Sequence, residues 1–267
     1  MFKDFPKVCI NFFLTLVFLF LTNYGNPYIN FCNFLLNLLI IPLNYYMYLE
    51  NCIVILTSTT PPWWAIPPAW SLGAEIQAYF LLPILLTYKM LGLSVFWISY
   101  IIYSLANLNI IHSDYFGYRL IPGVIFMFLS GAYLQKIVSG KASRLEMLSL
   151  IIIYIISLFW LVFFIIIKGK YGAYTRETLL GLLVGIPLVY TLLKIRRKFY
   201  FNDLFGKLSY GIFLSHFLSF WILEFVNLTQ NIISMIFLSL IISASVSYLI
   251  ITLIENKVEK IRYNLTR

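Results

Sequence analysis

The sequence is poor in charged residues, histidine and cysteine. Of its 267 residues, 61% are hydrophobic and only 11% are charged, and it contains 2 histidines and 3 cysteines. A typical soluble domain carries about twice this share of charge, so the composition excludes a soluble protein. Cys9, Cys32 and Cys52 share no metal-ligand spacing and define no disulfide framework, and we expect them to be small apolar core residues.

The charges that are present leave long gaps. No charged residue lies between Lys7 and Glu50 or between Glu224 and Glu255. A helix needs about 20 apolar residues to cross a hydrocarbon core about 30 Å thick. The sequence therefore predicts an all-α fold, a polytopic transmembrane helical bundle of about eight spans at 6–23, 72–89, 93–111, 119–138, 146–167, 177–194, 207–226 and 231–254.

Basic residues cluster at the ends of these predicted spans and orient the chain. One cluster lies at 136–144, a second at 194–207 and a third at 257–267, with two spans between successive clusters. All three therefore lie on one side, and positively charged loops face the cytoplasm. Both termini are predicted to be cytoplasmic, with Lys3 and Lys7 as anchors. Because topology explains the net charge of +9, we expect membrane lipids and no nucleic acid as partners.

Counting the spans back from the cytoplasmic clusters places both ends of the stretch 24–71 on the outer side of the membrane. The apolar stretch 31–49 then cannot be a simple single span, and we predict an interfacial or re-entrant segment. A true span compensated by a re-entrant turn at 61–64 is the alternative. Several polar or helix-breaking residues suit a re-entrant segment: Asn33, Asn37, Pro42 and Asn44.

One carboxylate lies just inside a predicted apolar helix. Pro67 and Pro68 precede this helix, so we expect it to begin near Ser71 as the N-cap, with Glu75 on the same face as Tyr79. A charge in this setting costs a few kcal/mol or more unless it is paired or solvated. Glu75 is either a charge stabilised by the helix dipole or an acid, base or substrate anchor at an outward-facing cavity.

His216 is the second candidate, on a predicted helix face with Ser209 and Ile212. It is either a structural histidine that a neighbouring helix hydrogen-bonds, or a general base or donor-contacting group, because imidazole is the usual proton acceptor near neutral pH. Arg119 precedes a predicted span on the outer side, where an arginine is most often a headgroup anchor.

Two stretches resemble motifs of the acyltransferase-3 family of membrane acyltransferases. The first motif is Trp-Ser-Leu-x-x-Glu-x-Gln-x-Tyr with a proline shortly after, and it is matched by Trp70, Ser71, Leu72, Glu75, Gln77, Tyr79 and Pro83. The second is Gly-x-x-Ser-Tyr-x-x-Tyr/Phe-Leu-x-His, matched by Gly206, Ser209, Tyr210, Phe213, Leu214 and His216. Arg119 resembles a family arginine more loosely.

The resemblance implies an enzyme that moves an acyl group, often acetyl, from acyl-CoA to a hydroxyl of an extracytoplasmic glycan or lipid-linked sugar. Such an enzyme lies in the bacterial inner membrane and modifies cell-envelope polysaccharides. The resemblance implies no bound cofactor or metal, with acyl-CoA as donor substrate. It also implies catalytic roles for Glu75 and His216, and substrate binding by Trp70, Ser71, Tyr79, Arg119, Ser209 and Tyr210.

Members of this family resemble ten-span proteins, and the eight spans predicted here correspond to the last eight. Residues 1–267 are therefore expected to form a single acyltransferase-3-like domain without the family's first two spans and their expected histidine. Two other functions stay open: a transporter or flippase for glycan or lipid intermediates, and an inactive acyltransferase fragment. A transporter should carry charges in several central spans and broken helices in both halves, whereas these polar residues gather at helix ends.

The charge distribution predicts that position 119 faces the outside and position 141 the cytoplasm. Arg119→Cys and Lys141→Cys are made in a background without Cys9, Cys32 and Cys52, and intact cells are treated with a membrane-impermeant maleimide. We expect labelling of Arg119→Cys at once and of Lys141→Cys only after permeabilisation. The reverse pattern would mean that the topology is inverted.

Overall fold

The computed structural model of the protein describes residues 5–59, 62–167, 174–195, 200–228, 231–255 and 257. The predicted anchor Lys3 lies outside the described residues. So do residues 196–198 of the second basic cluster and most of the C-terminal one. The described part is helical. Its α-helices are α1 (Phe5–Thr22), α2 (Phe31–Leu39), α3 (Tyr46–Ile53), α4 (Ala69–Thr87), α5 (Lys89–Asn107), α6 (Ile121–Val138), α7 (Arg144–Ile167), α8 (Thr175–Lys194), α9 (Asn202–Phe225) and α10 (Ile232–Ile250).

Within the described residues, seven helices, α4 to α10, are long and apolar enough to cross a membrane. Each coincides with one predicted span to within a few residues, and the eighth prediction, 6–23, falls on α1, whose apolar part Pro6–Thr22 is slightly shorter. The structure thus confirms the all-α polytopic bundle. Many large apolar side chains on these helices are exposed, for example Phe159 and Ile166 of α7, as expected of surfaces that contact lipid in an integral membrane protein.

The stretch 31–49, predicted to be interfacial or re-entrant, is sharply bent. The segments Phe31–Leu39 and Ile41–Ile53 meet at 99°, which is the geometry of a broken span or a re-entrant loop. At the bend, Ile40 has φ +66°, and Pro42 opens the short 3₁₀ helix Ile41–Tyr45. A β-branched residue rarely adopts a positive φ, so the packing around Ile40 fixes the bend.

Buried asparagine side chains hold this bent pair together. Asn37 Nδ2 donates to the carbonyl oxygens of Asn33 and Ile53, both at 2.8 Å, and Asn37 Oδ1 accepts from the amide of Ala65 at 3.0 Å. Asn30 caps α2 in a reciprocal pair with Asn33. Main-chain groups at membrane depth need partners from the protein. The predicted asparagines supply those partners.

The contacts divide the chain into two compact units. The first contains Met1–Gly73 and Lys198–Arg267, and the second Ala74–Arg197. In the first unit, α1 and α9 run parallel: Lys7 Nζ lies 5.4 Å from the Tyr210 ring centroid at one end, and Tyr24 contacts Glu224 at the other. Two parallel spans enter the membrane from the same side, which agrees with the predicted parity of α1 and α9.

Small residues bring α9 and α10 close together. Ser219 Oγ lies 2.9 Å from Ser243 Oγ, and Ser215 Oγ approaches the Ser243 carbonyl at 3.4 Å. A Cβ added at Gly211 would lie 2.0 Å from Ser247 Oγ. Small residues that allow close backbone approach and interhelical hydrogen bonds are the usual means of helix association in lipid.

Two expectations about burial are wrong. Cys32 and Cys52 are exposed rather than in the core, because the outer surface of a membrane bundle faces lipid and accepts a small apolar side chain. Lys7 was expected at the headgroups, but it is buried beside Tyr210. A lysine buried against an aromatic face is stabilised by cation–π attraction, so Lys7 is part of the α1–α9 packing.

The second unit is built on an aromatic core between α5 and α6. Phe96 and Tyr133 pack with ring centroids 5.3 Å apart, and Tyr103 and Phe126 at 5.1 Å. Hydroxyl contacts attach the next helices, since Tyr100 Oη lies 2.9 Å from Ser157 Oγ of α7 and Tyr103 Oη 2.9 Å from Thr178 Oγ1 of α8.

The start of α7 is fixed by a capping box of the kind described for Ser-x-x-Glu sequences. Ser143 N donates to Glu146 Oε2 at 2.7 Å, and Glu146 N donates to Ser143 Oγ at 3.3 Å. The other Glu146 oxygen accepts from Lys136 Nζ at 2.8 Å. The cluster at 136–144 therefore contains one lysine that is held by an ion pair.

We expect Gly211→Ala to destabilise the protein and Gly206→Ala, in the same helix, to leave its stability unchanged or slightly raised. Alanine favours a helix over glycine at both sites, but only at Gly211 does the new Cβ meet Ser247, and overpacking of this kind costs about 1–3 kcal/mol. Thermal unfolding of the purified protein in detergent measures the difference. Equal effects at the two sites would contradict the close α9–α10 contact.

Candidate functional site

The helix that carries Glu75 begins earlier than the sequence indicated. α4 starts at Ala69, so the prediction that Ser71 is its N-cap is wrong. Ser71 N and Oγ instead donate to the Pro68 carbonyl, at 3.1 and 2.9 Å. The reason is that Ile66–Pro68 already forms a turn, in which Ala69 N donates to Ile66 O, and the helix continues directly from it.

Glu75 lies in the second turn of α4 and is half-buried. The hydroxyl of Tyr79, one turn further, donates to Glu75 Oε1. This bond matches the predicted common face of Glu75 and Tyr79. Tyr79 is itself 45% exposed, so the pair is accessible from outside the helix bundle. The carboxylate is thus held by an uncharged donor.

Trp70 is tied to the bent pair. Asn44, which is fully buried, donates from Nδ2 to the Trp70 carbonyl oxygen at 3.3 Å. The first turn of α4 is therefore fixed by the 3₁₀ helix through Asn44, which the sequence analysis singled out only as a residue that suits a re-entrant segment. Residues 69–73 belong to the first unit and Glu75 to the second.

His216 lies on α9 in the first unit, and its hydrogen bond stays within its own helix. Nδ1 is 2.8 Å from the Phe213 carbonyl oxygen, so the expected partner on a neighbouring helix is absent in the described part of the chain. A carbonyl oxygen only accepts, so this contact assigns the proton of the neutral tautomer to Nδ1 and the lone pair to Nε2. The rings of Phe213, Phe217 and Phe220 surround it.

The remaining motif residues of α9 lie near its beginning. Ser209 is exposed and donates to the Gly206 carbonyl at 3.0 Å. Tyr210 packs beside Lys7 of α1. Ser209 and His216 are two turns apart, so the structure does not bring Ser209 to the histidine.

Arg119 closes a short π-helical turn, Tyr115–Arg119, that precedes α6. Its Nε donates to Asp114 Oδ1 at 2.8 Å, and both side chains are largely buried, 12% and 14% exposed. Its guanidinium lies 5.4 and 5.6 Å from the ring centroids of Tyr118 and Tyr174, which stack on each other at 4.4 Å. Arg119 is therefore part of a packed ion pair rather than a simple headgroup anchor. π-Helical turns occur frequently at functional sites.

The sequence analysis missed a carboxylate at the end of α9. The Tyr24 hydroxyl donates to Glu224 Oε2 at 2.6 Å, and Trp221 lies beside Tyr24. Its signal was present in the sequence, because Glu224 is the one charged residue between Lys207 and Glu255. The argument that singled out Glu75 applies to it equally. In the described residues, no group of three or more His, Cys, Asp or Glu side chains is placed to hold a metal ion.

The fold and the candidate site define a class of protein. It is a polytopic helical membrane protein that carries a carboxylate on one helix and a histidine on another. The family model named acyltransferase domain, which describes the acyltransferase-3 family, matches residues 4–253, nearly the whole chain. The chain belongs to this family of membrane acyltransferases. No solved structure matches it.

We expect Asp114→Asn to lower the stability of the second unit by roughly 2 kcal/mol, because it removes a charged acceptor from a largely buried arginine. Thermal unfolding in detergent provides the measurement. Glu50→Gln is the control, since Glu50 is an exposed carboxylate on α3. If the two substitutions shift the unfolding temperature equally, the Asp114–Arg119 pair contributes nothing.

Proposed function

We propose that the protein is an O-acyltransferase that moves an acyl group, acetyl in the simplest case, from acyl-CoA to a hydroxyl of an extracytoplasmic glycan or lipid-linked sugar. It would act in a bacterial inner membrane with both termini in the cytoplasm. The family supplies the general reaction, acyl transfer in a membrane. The donor, the acetyl group and the glycan acceptor are our inference from the motifs.

One observation carries the proposal: in a chain of this family, the motif residues Glu75 and Tyr79 are bonded to each other on a membrane helix. A carboxylate kept at membrane depth without a cation is costly and marks a functional site. In the described part of the chain, the Tyr79 hydroxyl is the one hydrogen-bond partner of the Glu75 side chain. This arrangement orients the carboxylate and leaves it able to accept a further hydrogen bond.

The reaction needs a base for the acceptor hydroxyl. The hydroxyl oxygen attacks the thioester carbonyl carbon, the carbon–sulfur bond breaks, and the hydroxyl proton ends on the departing CoA sulfur. A group that takes this proton raises the nucleophilicity of the oxygen. Glu75 and the unprotonated Nε2 of His216 are the two groups to which we assign such acid–base roles.

Substrate binding is assigned to the other motif residues on the same grounds. The hydroxyls of Ser71, Tyr79, Ser209 and Tyr210 are donors or acceptors for the polar parts of donor and acceptor, Trp70 offers an aromatic ring, and Arg119 a cation.

The test is acyl-CoA-dependent O-acylation by membranes that contain the protein or its Glu75→Gln variant. Glutamine keeps the volume of the side chain and still accepts from Tyr79, so the protein should fold. We expect the rate to fall by about 100- to 10,000-fold, the usual range for loss of an acid–base group.

Glu177→Gln is the matched control, because Glu177 is an exposed carboxylate in the first turn of α8. It should retain the wild-type rate. A wild-type rate in well-folded Glu75→Gln protein would leave Glu75 as a helix charge without a catalytic role. Movement of a labelled glycan lipid across vesicles without any acyl transfer would favour a flippase instead.

A further inference from the structure

A loop cap covers the C-terminal ends of α1 and α9 in the first unit. We define this loop cap as residues 23–28, 54–59 and 62–64. Isolated β-bridges join Pro27 to Leu56 and Leu56 to Trp63, and Leu56 N donates to Trp63 O at 2.8 Å. Gly25 has φ +67°, and a Cβ there would lie 2.9 Å from Leu56 Cδ2, so the turn requires glycine. The loop cap is therefore an ordered structure.

The loop cap places two aromatic rings against α9. Trp63 lies 5.4 Å from Phe217 between ring centroids, and Tyr24 lies 6.2 Å from Trp221. Phe217 and Trp221 are 6.2 Å apart, and Phe217 is 4.8 Å from His216. Contacting aromatic rings thus run from His216 to Trp221 near the end of α9, and their exposed part, Trp63 and Phe217, forms an aromatic surface. Trp221 is buried, whereas Trp63 and Phe217 are partly exposed.

This surface ends at an ordered carboxylate. Glu224 is exposed, and Tyr24 Oη donates to its Oε2 at 2.6 Å. Burial first, and the hydrogen bond and charge of Glu224 next, raise the pKa of Tyr24 well above its usual value, so Tyr24 stays protonated as the donor. Glu224 Oε1 accepts no hydrogen bond within the described residues. One oxygen fixes the carboxylate, and the other is available.

His216 and Glu224 lie on the same face of α9. They are eight positions apart with Phe220 midway, so each step is four residues and one helical turn. At a rise of 1.5 Å per residue, the two positions are separated by about 12 Å along the helix axis. A ligand that reached from one to the other would lie along the aromatic surface.

We propose that the surface formed by Trp63, Phe217 and Glu224 is a carbohydrate-binding subsite for the acyl acceptor, which holds a sugar ring next to the unit that reaches His216. This inference rests on the proposed function for the identity of the acceptor. Trp63 and Phe217 take the apolar C–H face of a sugar ring. The Glu224 carboxylate accepts from its hydroxyls, and such charge-assisted bonds are short and strong.

The chemistry of the surface favours a carbohydrate over other ligands. A lipid chain would gain nothing from the Glu224 carboxylate, which would lose solvation beside it. A phosphate or another anion would be repelled by Glu224, and the chain has no lysine or arginine between Lys207 and Glu255 to offset that charge. A neutral polyhydroxylated ring satisfies both the aromatic faces and the carboxylate.

Saturation-transfer NMR on the full chain in lipid nanodiscs tests the subsite, with a mixture of maltose, lactose and N,N′-diacetylchitobiose as probe. We expect transfer from the protein to the ring C–H protons of at least one of these disaccharides. Glu224→Gln and Trp63→Leu should each weaken the binding by about tenfold, the scale of one lost charge-assisted bond or aromatic contact.

Two matched controls accompany these variants. Tyr28→Leu removes an exposed aromatic ring from the same loop cap, and Glu50→Gln removes an exposed carboxylate from α3. Both should bind the disaccharides as the wild type does. Absence of transfer in the wild type, or equal transfer in all variants, would overturn the subsite and leave the rings as a lipid-facing aromatic belt.

The binding measurement needs no turnover, so it separates the two proposals. Disaccharide binding without acyl transfer would refute the acyltransferase assignment alone. Acyl transfer whose acceptor KM is unchanged by Glu224→Gln would refute the subsite alone. If both proposals hold, Glu224→Gln should raise the acceptor KM about tenfold and leave kcat and the acyl-CoA KM unchanged, because Glu224 contacts the acceptor and not the reacting atoms.

Discussion

The hydrocarbon core of the membrane supplies no hydrogen-bond partners, and most of this structure follows from that constraint. The described residues contain seven helices long and apolar enough to cross the membrane, and an α-helix pairs its main-chain groups within itself. Where the chain departs from regular helix, at the bend between α2 and α3, side-chain amides replace the missing partners. Asn37 alone bonds two carbonyl oxygens and one amide. The asparagines stabilise the bend, because their side chains supply the hydrogen-bond partners that its main chain lacks.

The same constraint governs the serines of the first unit. Ser215, Ser219 and Ser243 each bond a carbonyl oxygen one turn back in their own helix. They also contact each other across α9 and α10. Serine is small, and a hydroxyl that bonds its own helix needs no other partner. The two helices can therefore approach closely at Gly211 and Ser247. This packing fixes α9, and with it His216.

The spans could be predicted from the sequence because charge and hydropathy decide them. In the described residues, all seven long apolar helices coincide with predicted spans. Parity predicted an interfacial or re-entrant segment at 31–49, and the bend found there is that of a broken span or a re-entrant loop. The N-cap at Ser71 was wrong because a turn at Ile66–Pro68 starts the helix two residues earlier. The prediction that Lys7 lies at the lipid headgroups was wrong, because an apolar-helix pattern gives no information about which face packs against Tyr210.

The pairing of the site residues was only partly predictable. Helix periodicity placed Tyr79 over Glu75, and the structure has that bond. Periodicity cannot show contacts between distant segments, so Tyr24 with Glu224 and Tyr174 with Arg119 went unseen. Glu224 itself was visible as an isolated charge. The sequence did not reveal the loop cap that brings Tyr24 to Glu224. The loop cap consists of three short segments joined by β-bridges, and such segments leave no periodic signal.

Four described acidic side chains fall into two kinds according to their partners. Asp114 and Glu146 are held by Arg119 and Lys136, and a cation cancels the charge it holds. These two pairs stabilise a turn and a helix start. Glu75 and Glu224 are held instead by tyrosine hydroxyls, Tyr79 and Tyr24.

A phenol orients a carboxylate without neutralising it. The group keeps at least one oxygen that can accept from a ligand hydroxyl. A carboxylate on a membrane helix is usually paired with a cation, because an unpaired charge is costly there. Within the described residues, the two carboxylates for which we propose functions have a tyrosine hydroxyl in place of a cation. The identity of the partner, a phenol or a cation, is therefore the physical feature that separates the proposed functional acids of this protein from its structural ones.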